Sequence, residues 1–164
     1  MESECKKEYH KNGNISVESY YMKDTNILHR KDGPAIIWYY ENGNVEYEVY
    51  YENNKLYRED KPSVVYYYED GNIRAEIYNI NNKYHKEDRP AATYYREDGS
   101  IKKELYYKYG KVHRENGPAY IEYYRDGSIK LQQYYINDVK YNEFEYHVKI
   151  GILKGENNEK LLQD

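Results

Sequence analysis

Three histidines are the residues of this chain whose type and spacing first suggest chemistry. Each begins a short polar stretch that also holds a base and an acid or amide, a set of groups able to bind a metal ion or a phosphate. The stretches are His29-Arg-Lys-Asp, His85-Lys-Glu-Asp and His113-Arg-Glu-Asn, and Tyr57 stands where a fourth histidine would be.

A shared metal site is excluded by the spacing of these histidines. They belong to repeats whose equivalent atoms we expect about 9–10 Å apart, at roughly 4.8 Å per strand. A zinc ligand atom lies about 2 Å from the metal, so equivalent histidines of adjacent repeats cannot share one ion. We predict no metal site and expect each histidine to form a hydrogen bond within its connecting loop.

The bases that follow the histidines form a second series. The bases are Arg30, Arg58, Lys86 and Arg114, and the residues two positions later are Asp32, Asp60, Asp88 and Asn116. Such a row could bind phosphate or an acidic partner. We favour solvated ion pairs within the loops, which contribute about 0–1 kcal/mol each.

Aromatic residues recur at three strand positions and form the candidate interaction surface. The rows are Trp38, Tyr66 and Tyr94; Tyr39, Tyr67, Tyr95 and Tyr123; and Tyr50, Tyr78, Tyr106 and Tyr134. Repeated aromatic platforms can stack sugars or bases. Rows of cross-strand aromatics also stabilise a sheet that has no second layer, and we favour this structural role.

No other arrangement indicates catalysis. The chain has no evident Ser/His/Asp or Cys/His set and no glycine-rich phosphate loop, and every distinctive cluster is repeated. Catalytic sites are normally unique constellations, so we predict that the protein is not an enzyme and needs no cofactor.

The elements that position these residues repeat every 28 residues. The markers are Pro34, Pro62, Pro90 and Pro118, and Gly43, Gly71, Gly99 and Gly127. Proline suits the first residue of a strand because it has no N–H for the ladder. The Asn-Gly or Asp-Gly pair predicts a hairpin with a type I′ turn. A second turn, such as Asn53-Asn54, closes each repeat, so we predict an all-β, elongated, single-layer antiparallel meander of hairpins.

The ends of the chain lack the repeat. We interpret residues 1–8 as a loose arm, 9–140 as an array of about five hairpin units, and 141–164 as a C-terminal cap and tail. Asn142 can cap a helix, and Phe144, Val148 and Ile152 could then pack on the last hairpin. Residues 142–153 alternate well enough for a strand, but we favour a short capping helix and a frayed end from Glu156 to Asp164.

Composition narrows the function classes further. Tyrosine contributes 26 of the 164 residues, and the net charge is −4 with both signs interspersed. From this tyrosine-rich composition and weakly acidic net charge, we predict no nucleic-acid partner and do not favour membrane binding. The single Cys5 excludes an internal disulfide, and no apolar run has the length of a signal peptide or a membrane span. We expect a soluble cytoplasmic protein.

The repeats resemble a long variant of the MORN repeat family. One copy with every element of the pattern is Tyr106-Tyr107…Gly110-Lys111…His113-Arg114…Gly117-Pro118-Ala119. Lys61 and Arg89 replace the glycine of the pattern in two other copies. The resemblance covers roughly residues 9–140 and implies an elongated, twisted meander of hairpins. Similar long variants occur in bacterial antitoxin-like proteins and in large DNA viruses, and a viral origin is the one we expect.

Two hypotheses of function follow. The first is a non-enzymatic protein-interaction or scaffold module that offers a long sheet face to a protein partner. The alternative is a carbohydrate-binding module that uses the tyrosine rows. Open sheet edges also suggest a homodimer that pairs edge to edge.

Overall fold

The repeated hairpins are present in the structure, a computed structural model that describes residues 3–58 and 60–154. Its elements are β1 (Ser3–Tyr9), β2 (Ile15–Met22), β3 (Ile36–Tyr39), β4 (Val45–Val49), β5 (Tyr51–Glu52), β6 (Lys55–Leu56), β7 (Val64–Tyr67), β8 (Ile73–Ile77), β9 (Asn79–Ile80), β10 (Lys83–Tyr84), β11 (Ala92–Tyr95), β12 (Ile101–Leu105), β13 (Tyr107–Lys108), β14 (Lys111–Val112), β15 (Tyr120–Tyr123), β16 (Ile129–Ile136), β17 (Val139–Tyr141) and α1 (Glu143–Lys154).

Eleven of these strands form one open antiparallel sheet. Its order is β1-β2-β3-β4-β7-β8-β11-β12-β15-β16-β17, so neighbours in the sheet follow one another along the chain. The remaining strands pair as three small hairpins, β5–β6, β9–β10 and β13–β14. The predicted all-β meander is confirmed. The two ends of the sheet are β1 and β17, and edge-to-edge dimerisation stays a prediction.

The first turn of each repeat differs from the type I′ turn that we expected. In the first turn only the glycine has a positive φ, as at Gly43 (89°), and the Gly43 N–H donates to the carbonyl of Tyr40 at 2.9 Å. This is a three-residue loop with a glycine bulge, which also shifts the register between Trp38 and Tyr39. The predicted type I′ turn there is wrong. Asn42 instead accepts the N–H of Asn44 at 2.9 Å, an Asx turn that needs no positive φ.

The second turn is the one with two left-handed residues. The φ values are 51° and 60° at Asn53 and Asn54, and 50° and 64° at Asn81 and Asn82. Two consecutive positive φ values define a type I′ turn, the geometry that matches the twist of a two-residue hairpin. Asparagine tolerates this conformation, which explains the Asn-Asn pairs.

A tyrosine marks the point where each return strand leaves the main sheet. The N–H of Tyr50 donates to the carbonyl of Ser63 in the next repeat at 2.8 Å. The Tyr50 carbonyl accepts the N–H of Tyr57, at the end of its own small hairpin, at 3.2 Å. Equivalent bonds occur at Tyr20, Tyr78 and Tyr106. The chain therefore passes from the main sheet into a small hairpin at this residue.

The core lies between the main sheet and the small hairpins. Buried side chains of the main sheet form its centre: Val49, Val64, Ile77 and Ala92. Tyr51, Leu56 and Tyr84, from the small hairpins, pack against them. The small hairpins thus cover the half of one sheet face that lies next to the loops joining the repeats.

The N-terminal segment differs from the loose arm that we expected. Residues Ser3–Tyr9 form β1, which pairs with β2 from Ser3↔Met22 to Tyr9↔Ile15. All seven residues are exposed, so no hydrophobic alternation marks the strand in the sequence. Backbone hydrogen bonds to β2, the strand on the other side of the Asn12-Gly13 turn, hold β1 in the sheet.

The C-terminal helix is confirmed, but its predicted buried face is wrong. The Asn142 side chain accepts the Glu145 N–H at 2.9 Å, and the Glu145 carboxylate accepts the Asn142 N–H at 3.2 Å, which is a capping box. Phe144 and Ile152 are 56% and 61% exposed, whereas Tyr146 is 1% exposed. The tail from Glu156 onward lies outside the described residues.

The buried face of the helix is selected by hydrogen bonds to the last loop that joins two repeats. The Tyr146 hydroxyl accepts the Gly117 N–H at 2.9 Å and donates to the Arg114 carbonyl at 3.0 Å. Its ring also lies 4.7 Å from the ring of Tyr134. A more apolar stripe, such as Phe144 with Ile152, could not satisfy those backbone groups.

The first-turn glycines make a testable contribution to stability. Gly71 has φ 88°, and an added Cβ would meet nothing within 4 Å, so substitution probes the backbone alone. We expect Gly71→Ala to lower the free energy of unfolding by about 1 kcal/mol and Gly71→Asn by less, because Asn tolerates positive φ. Chemical denaturation would measure both. Equal losses for the two variants would contradict the assignment.

The helix face provides a second prediction. Tyr146→Ala should lower the free energy of unfolding by about 3 kcal/mol or more, since it removes a buried ring and two hydrogen bonds. The control is Phe144→Ala on the exposed side of the helix, for which we expect a change of about 0.5 kcal/mol or less. The reverse ranking in thermal or chemical denaturation would show that the predicted face is the buried one after all.

Candidate interaction surface

The main sheet has two chemically different faces, set by the alternation of side chains along its strands. One face, here called the carboxylate face, carries a glutamate from each of four return strands: Glu18, Glu48, Glu76 and Glu104. The other, here called the aromatic face, carries Trp38, Tyr47, Tyr66 and Tyr94 in one cross-strand row.

Each glutamate of the carboxylate face accepts a hydrogen bond from a tyrosine of the next repeat. The pairs and distances are Tyr39 to Glu18 (3.2 Å), Tyr67 to Glu48 (3.2 Å), Tyr95 to Glu76 (2.7 Å) and Tyr123 to Glu104 (2.7 Å). Glu48 also accepts a bond from Tyr50, two residues along its own strand, at 3.2 Å. The hydroxyls of the Tyr39 row are therefore engaged within the sheet, whereas in the Tyr50 row a hydrogen bond to a glutamate occurs at Tyr50 and Tyr134.

Burial perturbs the acid–base behaviour of these tyrosines. Burial, reinforced by the neighbouring Glu18 and Glu48, raises the pKa of Tyr39 and Tyr67 to about 12 each. At the N-terminal end, Lys7 Nζ lies 2.8 Å from Glu18, and this bond lowers the pKa of Glu18. The carboxylate face is thus a hydrogen-bonded layer of phenols and carboxylates.

The bases of the connecting loops stack on tyrosine rings of the same face. The guanidinium carbons of Arg30, Arg58 and Arg114 lie 3.8, 3.8 and 3.7 Å from the ring centroids of Tyr20, Tyr50 and Tyr106. Lys86 Nζ lies 5.4 Å from the Tyr78 ring and 3.6 Å from Asp60. Among the described residues, the three arginines therefore form cation–π contacts in place of the expected solvated ion pairs.

The arginines also fix the loop backbone. Arg114 donates to the Pro118 carbonyl at 3.1 Å, and Arg30 donates to the Pro34 carbonyl at 3.3 Å. A Cβ on Gly33 would lie 3.1 Å from Arg30 Nε, so the glycine leaves room for the guanidinium. These arginines therefore stabilise the loops that join neighbouring repeats.

Two of the three histidines connect neighbouring repeats, whereas the buried Nδ1 of His29 has no hydrogen-bond partner among the described residues. His85 Nδ1 accepts the Tyr109 N–H at 3.3 Å, and His113 Nδ1 accepts the Asn137 N–H at 3.2 Å. Both donors belong to the second turn of the following repeat, beyond the loop in which we expected the bonds. His113 Nε2 also lies 3.1 Å from Glu115 within its own loop. No cluster of three or more metal-binding side chains occurs in residues 3–58 and 60–154.

The aromatic face presents a partly open row of rings that we call the aromatic strip: Trp38, Tyr47, Tyr66 and Tyr94. The ring centroids of Trp38 and Tyr47 are 5.6 Å apart, and those of Tyr47 and Tyr66 are 5.2 Å apart. Trp38 is 39% exposed, and the three tyrosines are half-buried. The small hairpins cover the other half of this face, so the strip lies beside them as the floor of a shallow groove.

Cations flank the strip towards its C-terminal end. The Arg74 guanidinium lies 5.3 Å from the Tyr66 ring centroid, and Lys103 Nζ lies 4.1 Å from that of Tyr94. A cleft of about 370 Å³ opens between Tyr66 and Tyr94, with Ala75 in its lining. The strip therefore combines aromatic rings with positive charge.

The three predicted rows do not form one surface. Trp38, Tyr66 and Tyr94 lie in the aromatic strip, whereas the Tyr39 and Tyr50 rows serve the carboxylate face. Those two rows are Tyr39, Tyr67, Tyr95 and Tyr123, and Tyr50, Tyr78, Tyr106 and Tyr134. The buried Tyr134 donates to Glu143 of the capping helix at 2.9 Å.

Sequence reasoning missed Tyr47, which fills the strip between Trp38 and Tyr66. Its position, directly opposite both residues, follows from the strand register, with Trp38↔Tyr47 and Tyr47↔Tyr66 as paired residues. The glycine bulge sets that register. Assigning the first turn as a type I′ turn therefore obscured the pairing.

Comparison with known families agrees with this architecture. The MORN repeat variant matches four stretches of the chain, residues 5–23, 36–53, 63–82 and 119–137. Each stretch contains a main-sheet return strand or one of its hairpins. No curated protein matches the chain.

These matches, together with the sheet of consecutive hairpins, identify the chain as a MORN-type repeat protein. MORN repeats are generally found in protein-interaction or membrane-binding modules. Within the described residues, no helix has the length and apolar character that crossing a membrane requires.

The tyrosine–glutamate layer predicts a loss of stability in alkali. The folded-state pKa of about 12 for Tyr67 lies above the ordinary value of 10.0, so its contribution is complete below pH 10 and is lost as the pH rises towards 12. Tyr67→Phe should lower the free energy of unfolding by about 1 kcal/mol at neutral pH and should make the alkaline decline shallower.

Denaturation at a series of pH values would measure this effect, and ultraviolet absorbance would follow the phenolates. The matched control is Tyr9→Phe, at a tyrosine that is 63% exposed, for which we expect no change in either quantity. A pH profile of Tyr67→Phe that is parallel to that of the wild type would contradict the assignment.

Proposed function

We propose that this protein is a non-enzymatic interaction module that binds a protein partner along the aromatic strip. One observation carries the proposal: Trp38, Tyr47 and Tyr66 form a row of contacting rings in which Trp38 is 39% exposed. Aromatic residues enriched in an accessible, preformed groove are typical anchors of protein–protein contacts.

The chemical difference between the two faces of the sheet supports the choice of the aromatic strip. On the carboxylate face, phenols, carboxylates and arginines contact one another, so a ligand would have to displace existing contacts. In the aromatic strip, Trp38 is 39% exposed and the three tyrosines are half-buried. Binding there would bury apolar area without breaking internal hydrogen bonds.

A non-enzymatic role agrees with the repetition of every polar cluster. The loop clefts combine cations and anions, as in the cleft that holds Lys86, Asp88 and Arg114, and the cleft at the first loop repeats the arrangement with Arg30, Asp32 and Arg58. Repeated clusters with mutually compensating charges suit a scaffold. The cytoplasm is the compartment that we propose for it.

A carbohydrate-binding module is the second candidate. The exposed indole of Trp38, stacked on Tyr47, is the kind of platform on which a sugar ring can lie. Sugar recognition also needs polar groups beside the platform, and Arg74 and Lys103 supply cations at a different part of the strip.

Affinity capture with matched variants tests the proposal. We expect a partner from a lysate of the source organism to be retained by the wild type and by Tyr57→Ala, but lost with Trp38→Ala. Tyr57 is the control because its exposed fraction of 40% matches the 39% of Trp38 and because it lies outside the strip. Both variants should keep the wild-type circular dichroism spectrum.

A partner that survives Trp38→Ala and is lost with Tyr57→Ala would move the binding surface away from the strip. A glycan array tests the second candidate, the carbohydrate-binding module. Binding of a glycan that Trp38→Ala abolishes would favour the carbohydrate module, and a blank array would remove it.

A further inference from the structure

The last return strand of the main sheet has an outer edge that is only half covered. In β16, residues 134–136 pair with β17. Among the described residues, no strand pairs with the outer side of residues 131–133. Leu131 is 41% exposed, and Gln132 is exposed as well. An unpaired strand edge is a template for the addition of another strand.

The preceding repeats show what occupies this edge elsewhere in the sheet. Residues 131–133 are equivalent to residues 17–19, 47–49, 75–77 and 103–105 of the earlier return strands. Each of those stretches pairs on its outer side with the entry strand of the next repeat, which is β3, β7, β11 or β15. After β17 the chain continues into α1 in place of another entry strand. The protein therefore contains four internal examples of the missing neighbour.

The backbone of Gln132 points to the open edge. The Gln133 carbonyl accepts the Ala119 N–H at 2.9 Å, so Gln133 uses its backbone on the inner side, towards β15. Successive residues of an antiparallel strand direct their backbone groups to opposite sides, so the N–H and C=O of Gln132 point outwards. A guest strand can therefore exchange two hydrogen bonds with this residue.

Tyr124 provides a second unused contact at the same edge. The equivalent Tyr68 donates from its hydroxyl to the Tyr95 carbonyl, at the end of the next entry strand, at 2.9 Å. Tyr40 makes the same bond one repeat earlier. Tyr124 is 52% exposed, and its hydroxyl has no such acceptor within the described part of the chain. A guest strand beside β16 would supply one.

The entry strands share a side-chain pattern that defines the guest. Their first residue is alanine or serine and is 0% exposed in every copy. The third is β-branched and buried, opposite the glutamate of the preceding return strand. The fifth is a tyrosine that donates to that glutamate. The four copies are Ala35-Ile-Ile-Trp-Tyr, Ser63-Val-Val-Tyr-Tyr, Ala91-Ala-Thr-Tyr-Tyr and Ala119-Tyr-Ile-Glu-Tyr.

Gln132 replaces the glutamate in β16 and can still accept a guest tyrosine. Its Nε2 donates to the Tyr134 hydroxyl at 3.3 Å, which leaves the side-chain carbonyl as an acceptor. The adjacent Lys130 Nζ lies 2.8 Å from Glu122, so the charge beside the edge is already paired. The edge therefore suits an uncharged guest segment better than an acidic or basic one.

A second copy of this chain offers a poorer match to the edge. Its exposed strand β1 has the sequence Ser-Glu-Cys-Lys-Lys-Glu-Tyr, which contains no β-branched residue. The open stretch of its β16, residues 131–133, is Leu-Gln-Gln and has neither a β-branched nor an aromatic residue. Its entry strands are paired on both sides within the main sheet. The pattern therefore favours a different protein as the source of the guest.

We propose that the open edge of β16 binds an extended segment of a partner protein by strand addition, and that this segment has the pattern of the entry strands. The β-branched residue of the guest lies opposite Gln132 and exchanges two backbone hydrogen bonds with it. The guest tyrosine donates to the Gln132 side chain, and its carbonyl accepts the Tyr124 hydroxyl. This surface is separate from the aromatic strip and adds a second mode of binding to the proposed function.

Fluorescence anisotropy with labelled peptides tests this edge on the full chain. The parent peptide is Pro-Ala-Ala-Thr-Tyr-Tyr-Arg, the sequence of residues 90–96. N-methylation at its threonine removes the N–H that would face β16, whereas N-methylation at the next tyrosine removes an N–H on the opposite side. We expect the first change to weaken binding about tenfold or more and the second about twofold or less. Equal effects, or no binding of the parent peptide, would overturn the inference.

Two substitutions at one position locate the binding on the protein. Gln132→Pro removes an N–H that points out of the sheet, which an edge strand tolerates, so we expect a folded protein with about tenfold weaker binding. Gln132→Ala keeps this donor and removes the side-chain acceptor, so binding should weaken only about threefold. Circular dichroism would verify the fold of both variants. Parent-peptide binding that is unchanged in Gln132→Pro would overturn the site.

Further outcomes separate this edge from the aromatic strip and from self-association. Trp38→Ala should leave peptide binding unchanged, and its loss in that variant would place the peptide on the strip and overturn the inference. We expect light scattering of the protein alone to give the same mass for the wild type and Gln132→Pro. A wild-type dimer that Gln132→Pro abolishes would assign the edge to a second copy and overturn the inference.

Discussion

Contacts between neighbouring repeats are the constraint on which the rest of this structure depends. The small hairpins cover only half of one face of the open sheet, so each unit must bond to the next. The Tyr40 hydroxyl donates to the Tyr67 carbonyl at 2.8 Å, and the Tyr68 hydroxyl donates to the Tyr95 carbonyl at 2.9 Å. In the small hairpins, Asn54 accepts the Leu28 N–H at 2.6 Å. Such side-chain bonds fix the register between units, as nearest-neighbour coupling does in other repeat arrays.

The abundance of tyrosine follows from this constraint. A thin core needs side chains that supply apolar area and also satisfy polar groups, and the phenol does both. Tyr67 packs its ring on the carboxylate face and donates to Glu48, while Tyr66, its neighbour along the strand, faces the aromatic strip. Where tyrosine is replaced, the replacement keeps the bond: Arg96 donates to the Tyr123 carbonyl in place of the phenol of Tyr68.

The last repeat shows how the array ends. Gln132 stands where the other return strands have a glutamate, and Tyr134 donates instead to Glu143 of α1. Tyr146 satisfies the backbone of the last connecting loop at Gly117 and at Arg114. The helix therefore takes over bonds that a further repeat would otherwise make, which is the role of a capping element in a solenoid.

The sequence by itself determined the repeat and the antiparallel hairpins, and it favoured a helical cap over a strand. These features depend on local chemistry: glycine in the first turn, proline at the entry to a strand, and Asn142 at the start of α1. It could not determine the turn types, because Asn-Gly and Asp-Gly fit both a type I′ turn and a glycine bulge. The strand β1 was hidden for a related reason, since backbone pairing needs no apolar pattern.

Only the tertiary structure decided which tyrosines face which side. The glycine bulge shifts the register by one residue, and side chains in a strand alternate between faces, so a small change at the turn reassigns whole rows. The three candidate rows accordingly separate into an internally bonded carboxylate face and a partly open aromatic strip.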